Sequence, residues 1–481
     1  MKMPIAKKTS TGTNNGKRVK GQFSALWSEF KRFKYGMVGL ALLIIFILIA
    51  IFEPLIVPFK ETGTRWRDIT YWQDNPVNAA PAWTNWFTAT DKTPQETLKP
   101  TNIVEQAEPS ADMVFVDADV YYDYTYDDPP TDMAFRATVQ GDTSFIVSLV
   151  RPDGIEVPLF DTHTSSSEPK DFRVSFNSNA IDNVFEFARG YEDPNVTAVY
   201  NRRTMNVMDV LFSKAQYGIL DNPEPLKGEY VFKLVSATIG AGEIADVRLE
   251  VAGKVFGIMG TDNAKRDIWS GLICGTKWAL LIGLSTSLIS VFIGVLYGIV
   301  SAYFGGVVDA LMMRFFEIVL SVPLLPIIIV MSAIFKPNLW TMITLMCLFF
   351  WTGSVRTVRS MGLQIKEETY IEAARALNAS NGRIIFKHML PQLIPYSFAS
   401  MALSVPGAIL YESTISLLGL GDATIVTWGQ ILQGASSGGA VLHGLWWWVV
   451  PPGVCMALMG MTFAFIGFAM DTILNPKLRT R

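Results

Sequence analysis

Residues 36–57, GMVGLALLIIFILIAIFEPLIV, form an apolar stretch interrupted by a single acid, Glu53. At 1.5 Å of rise per residue such a run crosses the roughly 30 Å hydrocarbon core of a bilayer. Inside a bilayer each backbone amide must find its partner within protein, so a helix is the available solution for one isolated run. The stretch exceeds the ~7–15 apolar residues of a cleaved signal and starts too far along the chain. It reads as an uncleaved transmembrane helix, preceded by a basic cytoplasmic segment, residues 1–35. Apolar runs recur at roughly 278–300, 315–335, 339–354, 393–418 and 445–470, which predicts six spans.

Charge sets the direction of those spans. Residues 61–254 carry 31 acids and 16 bases, whereas the rest of the chain carries 12 acids and 24 bases. The bases flank apolar runs: Lys2, Lys7, Lys8, Lys17, Arg18, Lys20, Lys31, Arg32 and Lys34 precede the first, and Arg356, Arg359, Lys366, Arg375, Arg383 and Lys387 lie between the fourth and fifth. That placement points to membrane topology with both loops cytoplasmic, and away from nucleic acid. Lys477, Arg479 and Arg481 put the C-terminus on the same side, and residues 58–262 then fall outside the cell. Trp66, Trp72, Trp83, Trp86 and Trp446–Trp448 flank spans, as interfacial aromatics or as ordinary core and surface residues.

Within the external segment the period changes. Between about 110 and 255, AFRATVQ, SFIVSLV, EVPLF, FRVSF, EYVFKLVSA and ADVRLEVAG alternate β-forming residues and are separated by turns at QGD, RPDG and NSN. This predicts an antiparallel, sandwich-like β domain. One amphipathic helix is expected at 201–215, where Met205, Met208, Leu211, Phe212 and Ala215 recur at helical spacing. Asp117, Asp119, Asp123, Asp127 and Asp128 offer oxygen atoms to calcium, but without a D-x-[DN]-x-[DN]-G loop a charged strand edge is the better reading. Cys274, Cys347 and Cys455 lie in apolar runs with no C-x-x-C or histidine spacing, which argues against a disulfide framework or zinc.

The loop at 366–395, KEETYIEAARALNASNGRIIFKHMLPQLIP, separates two spans. Glu367, Glu368 and Glu372 suit a helix N-terminus, and Arg383 and Lys387 suit the last turn of a second helix. Between them Asn378-Ala-Ser-Asn-Gly382 supplies residues that tolerate a left-handed turn. A charged elbow of this kind is either a lever that moves both spans together or a plain connector.

Glu372-Ala373-Ala374, Asn378 and Leu390-Pro391 resemble the E-A-A loop of ABC importer permeases, in which the turn position is usually Gly. Gly260-Thr261-Asp262 with Arg266-Asp267, Tyr303-Phe304-Gly305-Gly306 with Asp309 and Arg314, Glu412-Ser413 through Gly419-Leu420-Gly421, and Trp428-Gly429 resemble the second, C-type, permease of oligopeptide and dipeptide importers. Lys265 stands where that subfamily usually has Gly. The resemblance covers residues 20–57 and 257–481, and the graft falls between Phe87 and Phe256.

The resemblance implies a type I importer permease of six transmembrane helices, with a five-helix core at 263–481. It also implies an ATPase-coupling helix carried by Glu372, Ala373, Ala374, Arg375, Asn378, Leu390 and Pro391. The implied partners are a second permease subunit, two ATPase subunits and an external substrate-binding protein, in a bacterial or archaeal cytoplasmic membrane. Glu412, an acid inside an apolar run, either lines the substrate path or pairs near the outer interface. No G-x-x-x-x-G-K-[ST] loop occurs and no acid, base and nucleophile are grouped, so neither ATP hydrolysis nor any cofactor is expected of this chain. The alternatives are a secondary transporter, which would show two related halves, and a membrane-anchored sensor.

Overall fold

In a computed structural model, which describes residues 27–108, 113–165, 169–193, 202–335 and 338–474, helices and seven strands account for most of the described residues. The basic positions from Lys2 to Lys20 and from Lys477 to Arg481 lie outside the described residues. The chain divides into two units, one holding the apolar helices and the other comprising Arg67–Trp269 with Ala440–Trp448.

In the helical unit α1 is Lys34–Ile51, α2 Ile268–Phe304, α3 Gly306–Ser321, α4 Leu324–Ile334, α5 Leu339–Phe350 and α6 Thr352–Lys366. There follow α7 Thr369–Ala376, α8 Leu390–Leu417, α9 Trp428–Ser437 and α10 Trp446–Leu474. Among the described residues five helical stretches are long and apolar enough to cross a bilayer: Lys34–Ile51, Ile268–Phe304, Leu339–Lys366, Asn381–Leu417 and Trp446–Ile473. The expected span at 315–335 is instead two helices, α3 and α4, bent by 71° at Val322-Pro323, so the count reaches six only if that pair is one broken span. Pro323 cannot donate a backbone hydrogen bond, which is why the helix stops there and restarts.

Close packing rests on small residues. A Cβ on Gly298 would lie 2.9 Å from the carbonyl oxygen of Val355, and one on Gly294 would strike Trp351 and Ser354, so the backbones of α2 and α6 meet along this pair. Glu53 is mostly buried and accepts from Lys277 Nζ at 2.7 Å and Cys274 Sγ at 3.1 Å, which joins α2 to the turn after α1.

The second unit carries the strands β1 Glu96–Leu98, β2 Asn102–Glu108, β3 Met113–Tyr124, β4 Asp132–Val150, β5 Glu156–Thr164, β6 Pro169–Arg173 and β7 Gly228–Ala252. They form one antiparallel sheet in the order β2-β3-β7-β4-β5, with β1 on β7 and β6 on β4. The turn expected at QGD is absent. β4 runs through it, with Gly141 at φ 95° and a register shift against β7 between Gln140 and Asp142. Phe172 pairs with Phe135, and its ring also lies 4.7 Å from that of Phe145, ten residues further along β4. A straight strand would separate those positions by roughly 33 Å. The sheet therefore turns back on itself at this bulge and opposes its own inner face.

Two helices close the core. NSN is not a turn: the Asn177 side chain caps the helix Ser178–Arg189 by accepting from Asn179 and Ala180, and Ala180, Val184 and Ala188 form its buried stripe. The helix expected at 201–215 shrinks to Val207–Leu211 among the described residues, with Met205, Met208, Leu211 and Phe212 buried as the spacing predicts. On β3 the acids alternate with buried Val116, Ala118, Val120, Tyr122 and Tyr124, while Asp127 and Asp128 pair with Lys227 and Lys254. Burial pushes the phenols of Tyr122 and Tyr124 well above the usual tyrosine range.

The chain enters and leaves this unit side by side. Ala80 N–H donates to the Lys254 carbonyl at 2.9 Å and Phe256 N–H donates to Ala80 at 2.8 Å. The Thr261 hydroxyl bridges Pro76 and Ala79, and Asp262 is fully enclosed, accepting from the backbone of Ala264 and the guanidinium of Arg266. Trp66, Trp72 and Trp448 are core residues, whereas Trp86 is exposed.

Candidate functional site

The elbow begins where α6 ends. α7 is short, and only one side of it is anchored: Ile371 is completely buried and Ala374 nearly so, packed with Val295, Ile299, Tyr303, Val358 and Ile384. Glu372, Ala373, Arg375 and Asn378 are exposed on the other side, and Leu377 is 84% exposed at the tip. The helix stops by a Schellman closure, with Ala379 N–H bonded to the Ala374 carbonyl and Asn378 N–H to that of Arg375. That closure places Asn378 at φ 57°, the left-handed conformation its sequence position predicts.

A second helix follows at once. The Ser380 hydroxyl caps Asn381–Arg383, and the chain continues through a widened turn, Ile384–Met389, into α8. Asn381 and Gly382 therefore belong to this helix and not to the turn. Arg383 and Lys387 stand near its beginning, not at a C-terminal turn, because the helix runs on to Leu417. The widened turn lies just before Pro391, whose ring would clash with the carbonyl four residues back in a regular helix. Leu390 is partly buried and Pro391 exposed.

Two side-chain junctions lock the elbow to the helical unit. Tyr303 at the end of α2 donates to Asn381 Oδ1 at 2.7 Å, and the Arg375 guanidinium lies 5.4 Å from its ring centre. One turn into α3, Asp309 takes both ends of the Arg359 guanidinium, at 2.7 and 2.5 Å, and also accepts from Ser301. α2, α3 and α6 are thereby tied together beside the elbow. Tyr303 and Asp309 were visible as motif residues, but Asn381 and Arg359 lie 78 and 50 residues away from them, distances at which sequence spacing carries no pairing information.

Glu412 is enclosed, 4% exposed. It accepts from the hydroxyls of Ser416 at 2.7 Å and Thr427 at 2.8 Å, and Thr427 in turn caps α9. Trp428 then donates to the Leu272 carbonyl, which docks α9 on α2. Arg314 and Glu317 form an exposed pair.

These motif residues can be compared with known proteins. Residues 21–81 match the family described as the N-terminal transmembrane domain of oligopeptide transport permease C, and residues 294–480 match the binding-protein-dependent transport system inner membrane component. The dipeptide transport system permease protein DppC of Bacillus subtilis is 36% identical over 46% of this chain and 68% of its own length. The oligopeptide transport system permease protein OppC of Haemophilus influenzae is 35% identical over 46% of this chain and 70% of its own. The chain belongs to the C-type permeases of oligopeptide and dipeptide ABC transporters. An inward-facing structure of the MetNI methionine ABC transporter is similar at 18% identity, covering 44% of this chain and 98% of that one, with a TM-score of 0.35.

As a member of this family the chain is the permease subunit of an ABC importer, a multi-pass protein of the inner membrane. The two family matches leave residues 82–293 between them, and strands β1 to β7 lie in that interval. Two departures from the usual glycine now have a conformational meaning. Asn378 and Lys265 both adopt positive φ, 57° and 65°, which is the backbone state that glycine adopts without strain. At Lys265 side-chain and backbone bonds hold it there: Nζ donates to the Gln73 carbonyl, and its own carbonyl accepts from Asn75.

Proposed function

We propose that this permease forms half of the path by which peptides enter the cell and that its elbow is the ATPase-coupling element. The observation that carries this reading is the asymmetry of α7. Ile371 and Ala374 fasten it to the helical unit, while Glu372, Ala373, Arg375 and Leu377 present an exposed rim ending at Asn378. A rigid helix held on one face transmits a push on the other to every element it touches, here α2, α6 and α8.

In this arrangement two partner ATPase subunits hydrolyse ATP on the cytoplasmic side. The elbow and both termini face them, the β-rich unit faces outward, and a second permease and an external binding protein complete the importer. Glu412 serves as a tether between α8 and the cap of α9. Leu390 and Pro391 set the angle at which the elbow returns to the membrane.

Mild-detergent purification from the native membrane tests the assembly. Two ATPase subunits and a second six-span permease are expected in stoichiometric amounts, with ATP hydrolysis stimulated by a peptide-loaded binding protein. A chain that elutes alone after gentle cross-linking, without ATPase, overturns the reading.

The paired ends of the graft supply a second test. Because Ala80 is hydrogen-bonded to both Lys254 and Phe256, excising residues 90–254 and closing the gap with a short linker is expected to preserve assembly with the second permease. Loss of assembly would place the β-rich unit in the core of the complex.

A further inference from the structure

Beside the break between α3 and α4 lies a groove of about 520 Å³ within the helical unit. Its walls come from α2, from Val319–Leu324 at the break, from the α5–α6 junction and from the middle of α8. Broken helices are tolerated at membrane depth where the interrupted backbone lines a cavity, which is the case here. A Cβ added at Gly353 or Gly407 meets nothing within 4 Å, so both glycines widen the groove and neither is a packing contact.

The polar groups of the groove are hydroxyls alone, with no acid or base among the lining residues. Thr352 and Ser404 are engaged by carbonyls of their own helices. Ser287, 1% exposed, and Tyr411 have hydroxyls without a hydrogen-bond partner among the described residues, while Ser290, 3% exposed, lies against the Cys347 thiol. Phe350 packs edge-on against the Tyr411 ring at 5.3 Å and fixes its direction. Buried hydroxyls are nearly always satisfied, so a set of unsatisfied ones along a groove marks groups that await a ligand.

We propose that Ser287 and Tyr411 bind the backbone amides of the transported peptide, and that this groove reads the main chain and not the side chains. The inference rests on the peptide-import function proposed above. A hydroxyl both donates and accepts, which matches the N–H and C=O that every peptide bond presents. A charged side chain finds no counter-charge in the groove and is costly to desolvate there. Apolar neighbours such as Leu320 and Phe349 accept side chains of varied size without directional demands.

Tripeptide uptake by the complete importer in proteoliposomes, with trialanine at concentrations saturating the binding protein, tests this. Ser287→Ala combined with Tyr411→Phe is expected to lower maximal uptake about tenfold. Ser287→Thr, which keeps the hydroxyl, is expected to transport as the unmodified importer does. Gly407→Leu, which narrows the groove, is expected to slow a tripeptide of bulky residues more than trialanine. Undiminished uptake in both the double variant and Gly407→Leu overturns the groove assignment alone. No trialanine uptake by the unmodified importer overturns the peptide-import function and this assignment with it.

Discussion

Tryptophan in place of Ala373 is expected to stop transport, lowering uptake on the order of 100-fold or more, which corresponds to roughly 2.8 kcal/mol of lost coupling. The reason lies in the two faces of α7. Ala373 is exposed, between the buried anchors Ile371 and Ala374, and touches none of the core that holds the elbow. Exposed positions of this kind usually accept substitution with changes within about 0.5 kcal/mol, so the chain should fold and insert normally. An indole added there fills the space that an ATPase groove must occupy. Expression and pairing with the second permease are expected to be unchanged, and ATPase co-purification to fall with transport. Full uptake by the variant would reduce the elbow to a connector.

Alanine in place of Arg151 is expected to unfold the β-rich unit locally. Arg151 is completely buried at the turn between β4 and β5. Its guanidinium donates to the carbonyls of Val210, Leu211 and Ser213, with the Leu211 bond at 2.8 Å, pairs with Asp153 at 2.8 Å, and stacks 4.7 Å from the Phe187 ring centre. It is the peg that binds the sheet to both covering helices. Its removal takes a charged donor from three carbonyls and a carboxylate, a loss of about 3–5 kcal/mol for a buried charged group. Limited proteolysis of the assembled importer is expected to cut the variant within residues 113–252 at least tenfold faster, with the helical unit intact. Arg151→Lys is expected to restore little, because an ammonium lacks the planar fork that reaches all four acceptors.

Acid is expected to act in the same direction. Burial pushes the Asp153 carboxyl up, but its hydrogen bonds and the charge of Arg151 outweigh this and hold it below its ordinary value of 3.8. The pair therefore stabilises the unit at pH values above 3.8 and loses that contribution as the pH falls through the lowered native value. Protease protection should fade with it. Unchanged cleavage in Arg151→Ala would show that the core does not depend on this peg.

Where reading the sequence succeeded, the deciding physics was local. The apolar runs, the acidic middle, the β period and the turn at Asn378 are each set within one or two dozen residues. The elbow and the family were legible for this reason, because their residues are contiguous or close along the chain.

Where reading failed, the deciding contact was distant. QGD looks like a turn because Gly tolerates any φ, yet β7 pairs with β4 on both sides of it and keeps the strand continuous through a bulge. NSN looks like a turn because Asn favours both turns and helix caps, and the core supplied by β5 decides for the cap. Glu53 and Glu412 carry no local sign of the groups that satisfy them, which are Lys277 for the first and the hydroxyls of Ser416 and Thr427 for the second.

The sequence by itself determined that this is a membrane chain with a grafted β-rich segment and a charged elbow, because hydropathy, period and turn chemistry are properties of neighbouring residues. Only the tertiary structure decided that one sheet folds over on itself, that Asp309 clamps Arg359, and that Ser287, Ser290 and Tyr411 share a groove. Those outcomes depend on which segments meet in space, and residues far apart in the chain carry no local signal of the partner that will satisfy their charge or hydrogen bond.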